Sequence, residues 1–318
     1  MVDPTGEGIA NGAWRIAVLG PGAIGGFLAG LFGYHGHRVI CVCRKATAET
    51  LRRDGLRIEG TSREPILTRP RAVERLDEPV DVLFVTTKGA QLDDAMSRIP
   101  VELVANATIV PLLNGFEHMK KLRDRYGKRV VAAMISIESR CESAGVVRQV
   151  SPHAAIELAA CGQAVGAPTP EDLRGLIEGA GLRCRADRGE WEVIWEKLAR
   201  LAAIAATTAV TNRSIGEVLA HPRWMSWLEE CTKETTAVAR TFGVSISSSE
   251  VMAKIRTLPV GLCTSLQNDL HGGRETEVEQ VLGAVIRAGE RAGVTCSRLA
   301  AIRKEILAIE SSNRSEVS

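Results

Sequence analysis

Two hydrophobic rhythms divide the chain. Up to about residue 188, short apolar runs alternate with stretches of helical spacing. Ile16-Ala17-Val18-Leu19 predicts a strand, and Phe27, Leu28, Leu31 and Phe32 a helix face. Residues 37–43 predict a second strand, 48–54 a helix and 56–75 short strands with turns. The near-continuous apolar run at 80–87 is the pattern of a parallel strand covered on both faces. Helices over 91–99 and 116–126 and strands over 107–113 and 130–137 follow. Residues 146–160 read as a hairpin or late sheet strands, 171–180 as a helix and 181–186 as a last strand. Beyond 188 the period becomes helical throughout. Residues 190–210 form one long helix with Trp191, Ile194, Trp195, Leu198, Ala202 and Ala205 as its core stripe. Strand and helix in alternation predict an α/β fold built on a parallel sheet, and the second rhythm predicts an all-α domain after it.

Chemistry enters at the first turn. Gly20-Pro21-Gly22-Ala23-Ile24-Gly25 lies between the first strand and its helix, the context in which G-x-G-x-x-G signals a dinucleotide. Gly20 allows the tight turn, Gly22 lets backbone approach a pyrophosphate, and Gly25 lets helix and strand pack closely. The helix N-terminus offers free N–H groups to the phosphates. A glycine-rich turn in some other α/β fold is the competing reading. The expected organisation is an NADP-binding Rossmann-type domain at 1–188, with a loose tail at 1–12, and a helical substrate and catalytic domain at 189–318, with a second loose tail at 311–318. Arg44 stands where an NAD-binding domain usually has a carboxylate for the ribose hydroxyl. A guanidinium there suits a 2′-phosphate, which points to NADPH, and a solvated loop residue is the alternative. The glycine turn, Arg44, Lys88 and Asn114 all fall at the C-terminal ends of predicted parallel strands, the edge at which open α/β sheets bind ligands.

In the helical half Lys197 is the odd residue. No acid lies three or four positions away, Arg200 carries the same sign, and Leu201 and Ile204 occupy the same face. Apolar neighbours and a like charge push an ammonium's pKa down, as a proton donor near neutral pH requires. A snorkelling surface lysine is the alternative. Glu277 sits among Glu275 and Glu279 before a helical stripe, where a first-turn carboxylate serving the helix dipole is the plain reading.

Composition narrows the function classes. A net charge of +2 gives no surface for nucleic acid or anionic membrane. No apolar run approaches a membrane span, and residues 1–13 lack the features of a signal peptide. The 8 cysteines have no zinc-ligand or C-x-x-C spacing, so no metal is expected; buried free thiols, as at Cys41 and Cys43, and a cytoplasmic location are. Trp224 and Trp227 fit a homodimer face or a filled core equally well.

Across residues 14–310 these marks, in order, resemble the ketopantoate reductase (2-dehydropantoate 2-reductase) family. They are the glycine turn, Gly36-His37 with Arg44, Thr87-Lys88, Asn114-Gly115, Trp195-Glu196-Lys197-Leu198, Thr264-Ser265-Leu266-Gln267 and Gly273-Arg274-Glu275-Thr276-Glu277. The resemblance implies a Rossmann domain, a helical C-terminal domain, and NADPH as hydride donor to the keto carbon of 2-dehydropantoate. It implies Lys197 as proton donor, Glu277 at substrate or cofactor, Ser265 at the substrate carboxylate, Asn114 at both ligands and Lys88 beside the cofactor. The family pattern has asparagines four and eight residues after the lysine, where this chain has Leu201 and Ala205, and a third polar position is Ile215. Such a site should favour a less polar 2-keto acid. Another two-domain hydroxyacid dehydrogenase and a non-catalytic NADP-binding sensor are the other readings.

Overall fold

The structure is a computed structural model that describes residues 12–60, 64–152, 154–160 and 165–316. The expected tail at 1–12 lies, apart from Gly12, outside them. The chain forms two compact units, Met1–Leu113 with His118–Glu190 and Asn114–Glu117 with Trp191–Ser318.

The first unit runs β1 (Arg15–Leu19), α1 (Ala23–Tyr34), β2 (Arg38–Val42), α2 (Lys45–Asp54), β3 (Leu56–Gly60), β4 (Ile66–Thr68), β5 (Arg71–Val73), β6 (Val82–Val85), α3 (Leu92–Met96), β7 (Thr108–Pro111), α4 (His118–Tyr126), β8 (Ala133–Ser136), β9 (Ser139–Ser143), β10 (Val146–Gln149), β11 (Ala155–Ala159), α5 (Pro170–Gly179) and β12 (Arg183–Arg188). Five strands make a parallel sheet in the order β5-β2-β1-β6-β7. Ile16 of β1 aligns with Val39 of β2 on one side and Val82 of β6 on the other. All four residues of β6 are buried, which is why its sequence shows no polar alternation. A bridge from Ile109 to Val130 continues this edge, and β12, β11 and β8 form a further sheet.

Helix α1 is apolar nearly all round because it is covered on both sides. A smaller sheet, β4-β3-β10-β9, lies against it. A β-carbon at Gly26 would come within 2.7 Å of Val147, and one at Gly30 within 2.7 Å of Ile58. Of the two readings of residues 146–160, sheet strands and not a hairpin are found, because β10 pairs with β3 and β9 while β11 pairs with β8 and β12. The helix expected from residue 116 begins at His118, because residues 114–117 pack in the other unit.

The second unit holds α6 (Glu190–Thr211) beyond its first residue, α7 (Ile215–Ala220), α8 (Pro222–Thr241), α9 (Ser248–Arg256), α10 (Ser265–His271), a π-helical turn (Glu279–Gly283), α11 (Ala284–Ala292) and α12 (Ser297–Glu316). Helix α12 occupies most of the expected tail at 311–318, of which residues 317–318 lie outside the described set. Caps set the helix starts. Ser214 with Glu217 and Ser247 with Glu250 form capping boxes, and Glu234 accepts from the N–H groups of Arg298 and Leu299. Ile194, Trp195, Leu198, Ala202 and Ala205 of α6 are buried, and the Thr235 hydroxyl of α8 donates to the Ala199 carbonyl at 3.1 Å. No helix among the described residues is long and apolar enough to cross a membrane.

Candidate active site

In the first unit the glycine turn sits at the C-terminal end of β1. Gly20 has φ +85°, and a β-carbon there would also lie 2.7 Å from the Thr87 methyl. Gly25 is enclosed by the Thr86 hydroxyl and the Gly20 carbonyl. Thr86 fixes the turn from the neighbouring strand end, its hydroxyl donating to the carbonyls of Leu19 at 3.0 Å and Gly20 at 2.8 Å. Gly22 differs from both. It caps α1, and a β-carbon there would meet nothing within 4 Å. The turn therefore has a tight inner side, with Pro21 buried, and an open side at Gly22 leading to Ala23 and Ile24 in the first turn of α1. Such a turn fits a pyrophosphate, with backbone close and no side chain in the way. Arg44 is exposed two residues after the end of β2, and Lys88 is half-buried three residues beyond β6. Since β2, β1 and β6 are adjacent and parallel, Arg44, the turn and Lys88 line one sheet edge.

In the second unit three residues far apart in sequence are hydrogen-bonded. Lys197 on α6 donates to Asn114 Oδ1 at 3.3 Å, and Asn114 Nδ2 donates to Glu277 Oε2 at 2.9 Å. The amide thus turns its oxygen to the ammonium and its N–H to the carboxylate, which fixes its orientation. Burial lowers the Lys197 pKa from 10.5 to about 8; Glu277 opposes this, and Arg200 adds to it. The local sequence offers Lys197 no acid, but the fold brings Glu277 to it. Glu277 does not occupy a first helical turn as expected. It is the last residue before the helix that opens at Val278; its carbonyl accepts from the Val281 N–H at 3.0 Å and its carboxylate accepts from Asn114.

Sequence reasoning missed what holds Asn114. Gly115 has φ +79°, and the Gln280 carbonyl of the π-helical turn fills the space a β-carbon would need. Phe116 docks among Trp191, Trp195 and Phe242, with ring centroids 6.0, 5.8 and 5.6 Å away. The aromatic side chains were visible in the sequence, though their meeting was not. Ser265 is the first residue of α10, with its side chain exposed. Thr264 before it caps that helix and shares a 3.0 Å hydroxyl contact with Thr208 of α6. Leu201, one turn from Lys197, is half-buried, while Ala205 and Ile215 are fully buried. Among the described residues no group of three or more His, Cys, Asp or Glu could hold a metal ion.

Comparison with known proteins agrees with both units. The family described as Ketopantoate reductase PanE/ApbA matches residues 16–163, and Ketopantoate reductase PanE/ApbA C terminal matches residues 191–310. A 2-dehydropantoate 2-reductase of Archaeoglobus fulgidus is 24% identical, over 89% of this chain and 93% of its own. A PanE/ApbA family ketopantoate reductase from Ralstonia eutropha is similar in structure at TM-score 0.83 and 22% identity, over 94% of this chain and 99% of that one. A D-mandelate dehydrogenase solved with NADH and anilino(oxo)acetate is similar at TM-score 0.86 and 19% identity, with the same coverage.

Proposed function

The chain belongs to the ketopantoate reductase family, and we propose that it reduces the keto group of a 2-oxo acid, with Lys197 as proton donor. Membership makes it an NADP-dependent oxidoreductase. NADPH, when bound, supplies the hydride. In this reading Gly20, Pro21, Gly22, Ala23, Ile24 and Gly25 cradle the pyrophosphate, Arg44 pairs with the 2′-phosphate, and Lys88 contacts the cofactor. Reduction puts negative charge on the carbonyl oxygen of the substrate. The Lys197 ammonium stabilises that charge and gives up its proton there. Asn114 orients the ammonium through its amide oxygen and reaches both ligands. Glu277 holds the amide and keeps Lys197 protonated near neutral pH. Ser265 receives the substrate carboxylate.

The observation that carries this reading is the chain of hydrogen bonds from a desolvated Lys197 through Asn114 to Glu277. Lys197→Met tests it. Turnover should fall by about 10²-fold or more, the range of a lost general acid, while NADPH affinity stays unchanged. Full turnover in the variant would remove Lys197 as the proton donor.

The family reaction suggests 2-dehydropantoate as substrate. Leu201 and Ala205 favour a second reading, a less polar 2-oxo acid. A substrate hydroxyl set against Leu201 in place of an amide loses a partner, at a cost of about 1–3 kcal/mol. By steady-state kinetics, 2-oxo acids with branched or aromatic side chains should then outperform 2-dehydropantoate by about tenfold or more, and Leu201→Asn should narrow the gap. Greater efficiency on 2-dehydropantoate would remove this second reading.

A further inference from the structure

The hydrogen-bonded trio depends on two segments staying together, residues 114–117 and the stretch that runs from Glu277 into the π-helical turn. Arg287 of α11 is bonded to both. Its Nε and Nη2 donate to the two carboxylate oxygens of Glu117 at 3.1 and 2.6 Å, a bidentate pair three residues from Asn114. Its Nη1 donates to Glu279 Oε2 at 2.8 Å and its Nη2 to the Glu279 carbonyl at 2.9 Å, two residues from Glu277. Glu279 also accepts from Arg303 at 2.8 Å, and Arg291 lies 3.6 Å from Glu117. Gly283 makes room for this arrangement, since a β-carbon there would stand 2.8 Å from Arg287 Nη1.

We propose that Arg287 is a positioning residue for the proton donor: by joining Glu117 to Glu279 it clamps the segment carrying Asn114 to the segment carrying Glu277. This rests on the role proposed for Lys197. Arg287, Glu117 and Glu279 are each close to two-fifths exposed, and ion pairs that solvated contribute little to stability. Their geometry is another matter. The 2.9 Å bond from Asn114 to Glu277 spans the two clamped segments, and displacements of about 1 Å at a catalytic group can cost 10²-fold in rate. The charged groups acting on Lys197 are Glu277, across the trio, and Arg200, on its own helix. Arg200 stays in place when the clamp opens, and Glu277 does not. Lys197 then loses the carboxylate that favours its charged form.

The test uses Arg287→Met, Arg287→Lys and Glu117→Gln in the full-length protein. Turnover with NADPH is followed against pH. The pKa of Lys197 is read separately, from the pH dependence of its reductive methylation by mass spectrometry. Arg287→Met and Glu117→Gln should each lower kcat by about tenfold or more and move both pH profiles to lower pH, with NADPH affinity unchanged. Arg287→Lys should recover part of the loss. Unchanged kcat and unchanged profiles in Glu117→Gln, which keeps the side chain's shape, would overturn the proposal even if Arg287→Met failed to fold. Methylation requires no turnover. An Arg287 variant that shifts it in a protein whose activity ignores Lys197 would keep the clamp and reject the proton-donor reading.

Discussion

The sharpest consequence of the site is a pH limit on the reaction. Burial of the Lys197 ammonium lowers its pKa to about 8, against 10.5 for an ordinary lysine, with Glu277 opposing and Arg200 assisting. The difference amounts to about 3 kcal/mol between the charged and neutral forms. A proton donor must be protonated, so the rate should be level below pH 8 and fall above it. At pH 10 an ammonium of pKa 8 is only about 1% protonated, so kcat/KM should be about a hundredfold below its neutral plateau; an ordinary lysine would lose about a quarter. The same burial acts on stability with the opposite trend. Below pH 8 folded and unfolded chains both carry the proton, and the full cost of burial applies. Between about 8 and 10.5 the folded state releases its proton first, and that cost is relieved as pH rises. Lys197 therefore cannot be the cause of alkaline unfolding in that window. The assay is loss of nicotinamide absorbance at limiting 2-oxo acid across the pH range, with circular dichroism confirming the fold at each point. Lys197→Met should show only its residual rate, with no limb near 8. A limb near 10 in the wild type, or one near 8 that survives in the variant, would refute the reasoning.

Three further outcomes separate the parts of the site. Gly22→Val should leave the melting temperature unchanged, because the position opens onto free space, yet weaken NADPH binding about tenfold or more by obstructing the phosphates. Gly20→Ala should destabilise the fold itself by about 1–3 kcal/mol, from the strained φ and the contact with Thr87, as a thermal scan would detect. Arg44→Asp should move preference from NADPH toward NADH, with about 1–3 kcal/mol lost for NADPH, measured by titrating both cofactors.

Most of the first unit was legible because its signals are local. Strands β1 and β6 are apolar at every position where both faces are covered, and the glycine turn lies between a strand and a helix only a few residues away. The smaller sheet was harder to read. Strand β10 is short and half exposed, and it pairs with β3, some 90 residues earlier, so only the fold places the two side by side. Lys197 stood out for what its own helix lacks. That Asn114 and Glu277 join it was not legible, since they come from segments 83 and 80 positions away. Residues 114–117 are the clearest case. They follow β7 in the chain and read as part of the first domain, but an aromatic docking, a glycine pressed on a carbonyl and a bidentate ion pair assign them to the helical unit. None of those interactions has a sequence period to betray it.

The physical logic of the helical unit turns on one unfavourable burial. An ammonium taken out of water is costly unless a partner stands close. Glu277 raises the Lys197 pKa that burial lowers, and together with Arg200 they leave it at about 8. That balance holds the ammonium charged at neutral pH and still ready to release its proton. Asn114 accepts from Lys197 at 3.3 Å and donates to Glu277 at 2.9 Å, so its amide ties the orientation of the ammonium to that of the carboxylate. The orientation cannot come from Asn114 alone, a half-buried residue at the head of a four-residue segment. It comes from what grips that segment on either side: Gly115 against the π-helical turn, Phe116 in the aromatic cluster, and Glu117 in the fork of Arg287.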